Sequence, residues 1–220
     1  MTGKNIKKFC GKPLICWTID AVRQILHDNC ICVSTDDDDI IEVVESYDLK
    51  VPFKRPPSLA TDISSTNDVV VHAINYYQKN GLFFDWLLLL QPTSPLRTGK
   101  HIENIINMCD DSTDMIVSVK ASHAATVLCQ ENEDGYLELS LNKKAVGRQG
   151  MSHYYEYNGA VYMINIKSLL KNGIHGIRKV KKYVMTDMES IDIDNAIDFE
   201  LAEYYKLKYN CLLYTSPSPR

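Results

Sequence analysis

Several signatures are absent from this chain. No Gly-x-Gly-x-x-Gly turn, no phosphate-cradling Walker loop and no Gly-x-Ser-x-Gly elbow occurs, so three common routes to nucleotide binding or acyl transfer are closed. Its seven cysteines include no Cys-x-x-Cys pair, and His72, His101, His123, His153 and His175 show no metal-ligand spacing. No apolar run reaches membrane-spanning length, and no leader-like stretch is seen, which predicts a cytoplasmic protein outside any membrane. Positive charge is not in excess either. A net charge of −4 gives no general reason to expect nucleic acid or an anionic membrane as partner.

What remains is an ordinary globular composition, with 45% hydrophobic and 24% charged residues over 220 positions. The most informative stretch is Trp86-Leu87-Leu88-Leu89-Leu90-Gln91-Pro92-Thr93-Ser94-Pro95-Leu96-Arg97. Its apolar part suits a strand buried on both faces of a parallel sheet. Pro92 and Pro95 lack the N–H that would continue a ladder, so Gln91, Thr93, Ser94 and Arg97 emerge at the strand's carboxyl end, where open α/β sheets place ligands. A plain capping turn, with Ser94 or Thr98 as N-cap, reads equally well.

Helix and strand patterns alternate through the first half. Pro13 is placed at the first position of a helix carrying Leu14, Ile15, Ala21, Val22 and Ile25. A buried strand is predicted at Cys30–Val33, with Cys30 and Cys32 as reduced core thiols. The acidic run Asp36–Asp39 is read as the cap of the next helix rather than as a metal site. Further strands are expected at Val51–Phe53, Leu87–Leu90, Met115–Val119, Ala160–Ile164 and Tyr183–Met185, and helices at 65–79, 98–109 and from Asn195. Strands separated by helices imply right-handed crossovers and a mostly parallel sheet. Periodicity weakens between Ala121 and Tyr157, which is read as an excursion from the sheet. Asn158-Gly159 is a turn signal. The final residues, 211–220, read as a non-native tail beyond a domain over 1–210.

The second carboxylate cluster is Glu189-Ser190-Ile191-Asp192-Ile193-Asp194. Alternation puts Asp192 and Asp194 on one face, and two facing carboxylates need donors or a cation, which suits Mg²⁺ held together with substrate phosphates. An EF-hand would want Gly where Ile197 stands, and an aspartyl-phosphatase motif would want Thr or Val at Ala196. Asp194 serves equally well as a helix N-cap. Arg55 before two prolines, and Arg148-Gln149 in a Gly-flanked loop, are placed for bidentate contacts to phosphate or carboxylate.

These segments together resemble the acylneuraminate cytidylyltransferase family. The likeness rests on Lys4-Asn5, Gly11-Lys12-Pro13-Leu14-Ile15, Val33-Ser34-Thr35-Asp36, Arg55-Pro56, Leu59-Ala60-Thr61-Asp62, Gln91-Pro92-Thr93-Ser94-Pro95-Leu96-Arg97, Asn158-Gly159-Ala160-Val161-Tyr162 and Ser190-Ile191-Asp192-Ile193-Asp194, in the family's order. The resemblance implies a Rossmann-like α/β nucleotidyltransferase fold, three-layered with a mostly parallel sheet, and Mg²⁺ dependence. It also implies a homodimer whose arm, about 121–157, covers the neighbouring site. The implied activity transfers CMP from CTP to a nonulosonic acid of the sialic type, with legionaminic, pseudaminic or 3-deoxy-manno-octulosonic acid as alternative acceptors. By position, Lys4, Asn5 and Arg55 would hold the nucleotide, with Thr66 nearby. Gln91, Thr93, Arg148, Gln149, Asn158 and Tyr162 would hold the sugar acid, and Asp192 and Asp194 the metal, with Lys4, Asp192 and Asp194 catalytic. The family also has a first strand and an Arg-x-x-Ser-Lys-Gly loop ahead of the Lys-Asn pair, where Met1-Thr2-Gly3 stands here. The expectation is therefore a truncated chain, inactive unless the remaining groups suffice without the triphosphate loop.

Overall fold

The computed structural model describes residues 3–61, 64–122, 128–131, 133, 136–139 and 153–215; side chains are not described at 130, 131, 138, 139 and 209–215. The chain enters through a short 3₁₀ turn, Lys4–Ile6, and a two-residue hairpin, β1 (Lys8–Phe9) and β2 (Lys12–Pro13). Cys10 and Gly11 make its turn at φ 45° and 91°, a left-handed pair that glycine relieves at the second position. Helix α1 (Leu14–Arg23) then starts one residue later than expected, with Pro13 as its N-cap.

The Cys30–Val33 and Val51–Phe53 segments are not ladder strands. Residues 31–34 are extended, but the only bridge there is a parallel one between Thr35 and Lys54. Cys30 is exposed rather than a core thiol. Helix α2 (Asp38–Ser46) is capped by the carboxylate of Asp37, which accepts from the N–H groups of Asp39 and Ile40 at 2.9 and 3.4 Å. The capping reading of the acidic run therefore holds. Helix α3 (Thr66–Lys79) begins after its N-cap, Ser65.

The main sheet has four strands: β3 (Trp86–Leu90), β4 (Met115–Ser122), β7 (Tyr154–Asn165) and β8 (Val180–Val184), in the order β3-β7-β4-β8. Three point the same way, as a crossover fold predicts, but β7 lies antiparallel between β3 and β4, so the only parallel pair is β4 with β8. The sheet is thus mixed. Helix α3 and α5 (Ile166–Asn172) cover one face, where Val70, Ile74, Val117, Ile164 and Leu169 are buried together. Helix α4 (Gly99–Ile106) covers the other, through Ile105 against Ile116, Val161 and Met163. These are the three layers of an α/β nucleotidyltransferase fold.

β3 is not the fully buried strand its composition suggests. It forms the edge of the sheet, and all five residues are only partly buried. Its open side faces a cavity of about 960 Å³, walled by Ile15 and Ile19 of α1, Val33, and Val70 and Ile74 of α3.

In the 121–157 region β4 continues through Ser122 and β7 begins at Tyr154, while β5 (Cys129–Glu131) and β6 (Leu137–Leu139) form a separate hairpin. The last helix, α6 (Ala196–Thr215), runs on past residue 210. Its first turns pack Phe199 and Ala202 onto Phe9, Leu14 and Ile193.

Candidate active site

The site is built where β3 ends and the pairing of β7 becomes irregular. Opposite Ser118 of β4, the pairing with β7 slips: Val117 faces Tyr162 while Val119 faces Tyr157. Asn158, Gly159, Ala160 and Val161 crowd against that one position, so the Asn-Gly pair read as a turn is a bulge inside a twelve-residue strand. Bulges re-aim side chains without ending a sheet. Ser118 holds this one in place. Its hydroxyl donates to Asn158 Oδ1 at 2.6 Å and accepts from the Val161 N–H at 2.8 Å.

Asn158 is buried. Its amide nitrogen donates to Ser190 Oγ at 2.9 Å, and Oδ1 also accepts from the Ala160 N–H at 3.2 Å. The amide therefore fastens the bulge to the 190–194 segment from beneath. Gly159 has φ +74° and no room for a side chain: a Cβ there would lie 2.8 Å from Gln91 Oε1 and 3.7 Å from Asp192 Oδ2. The Gln91 amide and the Asp192 carboxylate converge over this one glycine.

Residues 191–194 follow a turn at 187–190, and their apolar side chains alternate as expected, Ile191 and Ile193 packing into one cluster. Ile193 is fully buried among Phe9, Leu14 and Phe199, while Asp192 and Asp194 point the other way. Its register is fixed by the Ile193 N–H, which donates to the Thr93 carbonyl at 2.9 Å. Thr93 is thus tied in through its backbone. The N-cap of α6 is Asn195, whose Oδ1 accepts from the N–H groups of Ile197 and Asp198 at 2.8 and 3.1 Å. Asp194 is not the cap; its side chain is 80% exposed, 3.5 Å from Lys4 Nζ. Lys4 Nζ also donates to the Ile193 carbonyl. Asp192 Oδ1 is buried with no hydrogen-bond partner. Tyr162 is half-buried on β7, and burial, Tyr157 and the Asp192 charge all push its hydroxyl pKa up.

Asn5, next to Lys4, lines the cavity, as do Gln91 and Pro92. Three polar atoms at this cavity are buried without partners: Asn5 Oδ1, Ser34 Oγ and Arg55 Nε. Leaving such atoms unbonded costs about 1–3 kcal/mol each, so a polar ligand in the cavity has groups waiting for it. Arg55 is oriented by Asp36: Nη2 donates to Oδ1 at 2.5 Å, and the Arg55 N–H donates to the Thr35 carbonyl at 2.8 Å. That contact holds the Asp36 carboxyl below its usual pKa. Thr66 lines the same cavity from the first turn of α3.

The structure therefore brings Lys4, Gln91, Thr93, Asn158, Tyr162, Asp192 and Asp194 together near the carboxyl end of β3, while Asn5, Arg55 and Thr66 line the cavity that Gln91 also borders. Arg148 and Gln149 lie outside the described residues. Sequence reading did not single out Ser34, Asp36, Ser118 or Gly159 as site residues. For Ser34 and Asp36 the signal, had it been used, was the short polar string after an apolar run; Ser118 stands inside an apolar run and Gly159 ahead of one.

As to a divalent cation, Asp192 and Asp194 supply hard oxygen donors two residues apart, one of them unpartnered, which fits Mg²⁺ shared with phosphate oxygens. Among the described residues no group of three or more His, Cys, Asp or Glu side chains forms a fuller cage.

Comparison with known proteins identifies the family. The sequence profile described as cytidylyltransferase matches residues 1–216. A CMP-N,N′-diacetyllegionaminic acid synthase of Legionella pneumophila is 32% identical over 206 residues, covering 92% of this chain and 89% of that protein. An N-acylneuraminate cytidylyltransferase of Escherichia coli is 30% identical over 214 residues, covering 96% of this chain and half of that longer protein. Among solved structures, a CMP:2-keto-3-deoxy-manno-octonic acid synthetase complexed with CTP superposes with a TM-score of 0.70 at 16% identity, over 95% of this chain and 93% of that one, which is a likeness of fold. With the profile matching nearly end to end, the chain belongs to the cytidylyltransferase family.

Proposed function

We propose that this protein transfers CMP from CTP to the anomeric hydroxyl of a nonulosonic acid, releasing pyrophosphate. The observation that carries the reading is the meeting of Gln91 and Asp192 over Gly159, with Gln91 also lining a cavity where Asn5, Ser34 and Arg55 present unpartnered polar atoms. The names of the relatives, which act on diacetyllegionaminic and N-acylneuraminic acids, support the acceptor class.

In this proposal the nucleophile comes from the sugar acid, so the protein contributes placement and charge rather than a covalent intermediate. Asn5, Arg55 and Thr66 hold the nucleotide. Gln91, Thr93 and Tyr162 line the sugar-acid side, with Arg148 and Gln149 as further contacts, while Asn158 keeps the bulge in register. Lys4 balances Asp194 and offers positive charge beside the phosphates. Asp192 and Asp194 hold Mg²⁺, which when bound supplies charge neutralisation at the phosphate oxygens.

A homodimer belongs to the same proposal. Tyr136 and Leu137, at the start of β6, are 72% and 74% exposed, as a reaching arm requires. So does a cytoplasmic location, in keeping with the six free thiols among the described residues.

The test is pyrophosphate release from CTP and Mg²⁺ with four acceptors in turn: N-acetylneuraminate, N,N′-diacetyllegionaminate, pseudaminate and 3-deoxy-manno-octulosonate. Release is expected with at least one nine-carbon acid. Asp194→Ala should abolish most of it while the protein stays folded. A folded protein silent with all four acceptors would refute the proposal, and undiminished release from Asp194→Ala would refute the metal assignment.

A further inference from the structure

Arg97 is 2% exposed, yet among the described residues no carboxylate pairs with it. Its Nη1 donates to the carbonyls of Gln91 at 3.1 Å and Ala160 at 2.7 Å, and Nη2 donates to Thr18 Oγ1 at 2.6 Å. Burial alone lowers its pKa, to about 10. A buried cation without a counter-ion is costly, and fold stability is seldom a sufficient reason to keep one. Three neutral oxygens solvate the charge here, and what matters is which backbone they belong to. Gln91 is the first residue beyond β3, and Ala160 sits in the β7 bulge beside Gly159. The guanidinium therefore joins the end of β3 to the bulge within β7, beside the point where the Gln91 side chain rests on Gly159 near Asp192.

We propose that Arg97 is a positioning residue, whose planar fork ties the backbone just beyond β3 to the bulge within β7 and so seats the Gln91 amide next to Asp192. Two other bonds refer Asp192 to the same frame: Asn158 Nδ2 to Ser190 Oγ, and the Ile193 N–H to the Thr93 carbonyl. A lysine keeps the charge but not the fork, and it cannot reach both carbonyls and Thr18 in one plane. The kinetic consequence rests on the proposed function. The geometric one does not.

The experiment compares wild type with Arg97→Lys, Gln91→Ala and the double variant, with rates normalised to folded protein. Arg97→Lys should raise the sugar-acid KM at least fivefold while the CTP KM stays within twofold. In the double variant it should add nothing to the defect of Gln91→Ala, because both act through one amide. A lowered melting temperature with both KM values unchanged, or defects that multiply, would overturn the proposal. Thr18→Ala removes one acceptor and leaves the charge; it should raise the same KM by a smaller factor, and it stands in if the lysine variant does not fold. A second readout needs no turnover. The Gln91 side-chain amide signals in a ¹⁵N spectrum, assigned by their loss in Gln91→Ala, should shift in Arg97→Lys or Thr18→Ala, while those of Asn104, bonded to Tyr183 Oη at 2.9 Å, stay put. Unmoved Gln91 signals would overturn the proposal. If wild type releases no pyrophosphate, the functional reading fails by itself and these signals still decide the role of Arg97.

Discussion

Gly159→Ala separates the site from the fold by numbers the structure supplies. The residue has φ +74°, where an L side chain costs roughly 1–2 kcal/mol. For a domain of this size that is a fall in melting temperature of about 2–8 °C. The new Cβ would stand 2.8 Å from Gln91 Oε1, against the 3.4 Å at which ordinary contact begins. The amide must therefore retreat by roughly half an ångström or more. Its side chain is flexible, so the retreat adds little to the stability loss. For catalysis it matters more, since a displacement of about 1 Å in a reacting arrangement can cost about a hundredfold. We expect kcat/KM for the sugar acid to drop at least tenfold in Gly159→Ala, measured by pyrophosphate release at a temperature where urea titration shows the variant fully folded. In a Gln91→Ala background nothing remains to collide, so the same glycine change should lower stability but leave kcat/KM as Gln91→Ala alone has it. Full activity in a destabilised Gly159→Ala would refute the reasoning.

Other consequences are simpler. Arg55→Ala removes the group that meets both Asp36 and the cavity, and should raise the CTP KM about tenfold, or about 1.4 kcal/mol, with the acid KM little changed; a CTP KM within twofold of wild type would count against the nucleotide assignment. Ile193→Ala empties a fully buried position against Phe9 and Phe199, and should cost about 2–5 kcal/mol in urea unfolding. Because Asp192 and Asp194 flank it, the Mg²⁺ needed for half-maximal rate should also rise, and an unchanged requirement would mean the segment is held elsewhere. The Asp110 carboxylate accepts bonds from Lys181, Ser112 and Thr113, which hold its pKa below the usual range. A folded-state pKa lower than the unfolded one gives stability that is present above about pH 4 and is lost as pH falls further. Asp110→Asn should therefore flatten the acid limb of a plot of melting temperature against pH, and parallel curves for variant and wild type would show that other carboxylates carry it.

Local chemistry made much of this legible in sequence. Asp37 caps α2 and Ser65 caps α3 because short polar side chains at those points have N–H groups to satisfy wherever the chain goes next. The alternation that buries Ile193 among apolar side chains and keeps Asp192 and Asp194 out of that cluster is a property of alternating backbone. The stop after Leu90 follows from Pro92. Less legible was anything set by pairing. Residues 31–34 have strand composition but no ladder, since composition does not supply a neighbour. The Asp194 cap was displaced by Asn195, one residue on, because an amide oxygen aimed at two N–H groups caps as well as a carboxylate. The antiparallel insertion of β7 left no trace, for an apolar run reads the same in either direction.

By itself, then, the sequence determined the alternation of elements, the caps and breaks, and the two strings whose polar groups meet at the site. Only the tertiary structure decided that they meet, because Gln91, Gly159 and Asp192 come together at a bulge opposite Ser118, with a buried arginine bonded to the end of β3 and to that bulge. Those contacts join residues tens of positions apart. Periodicity describes how a segment faces its surroundings, while packing alone chooses what stands there.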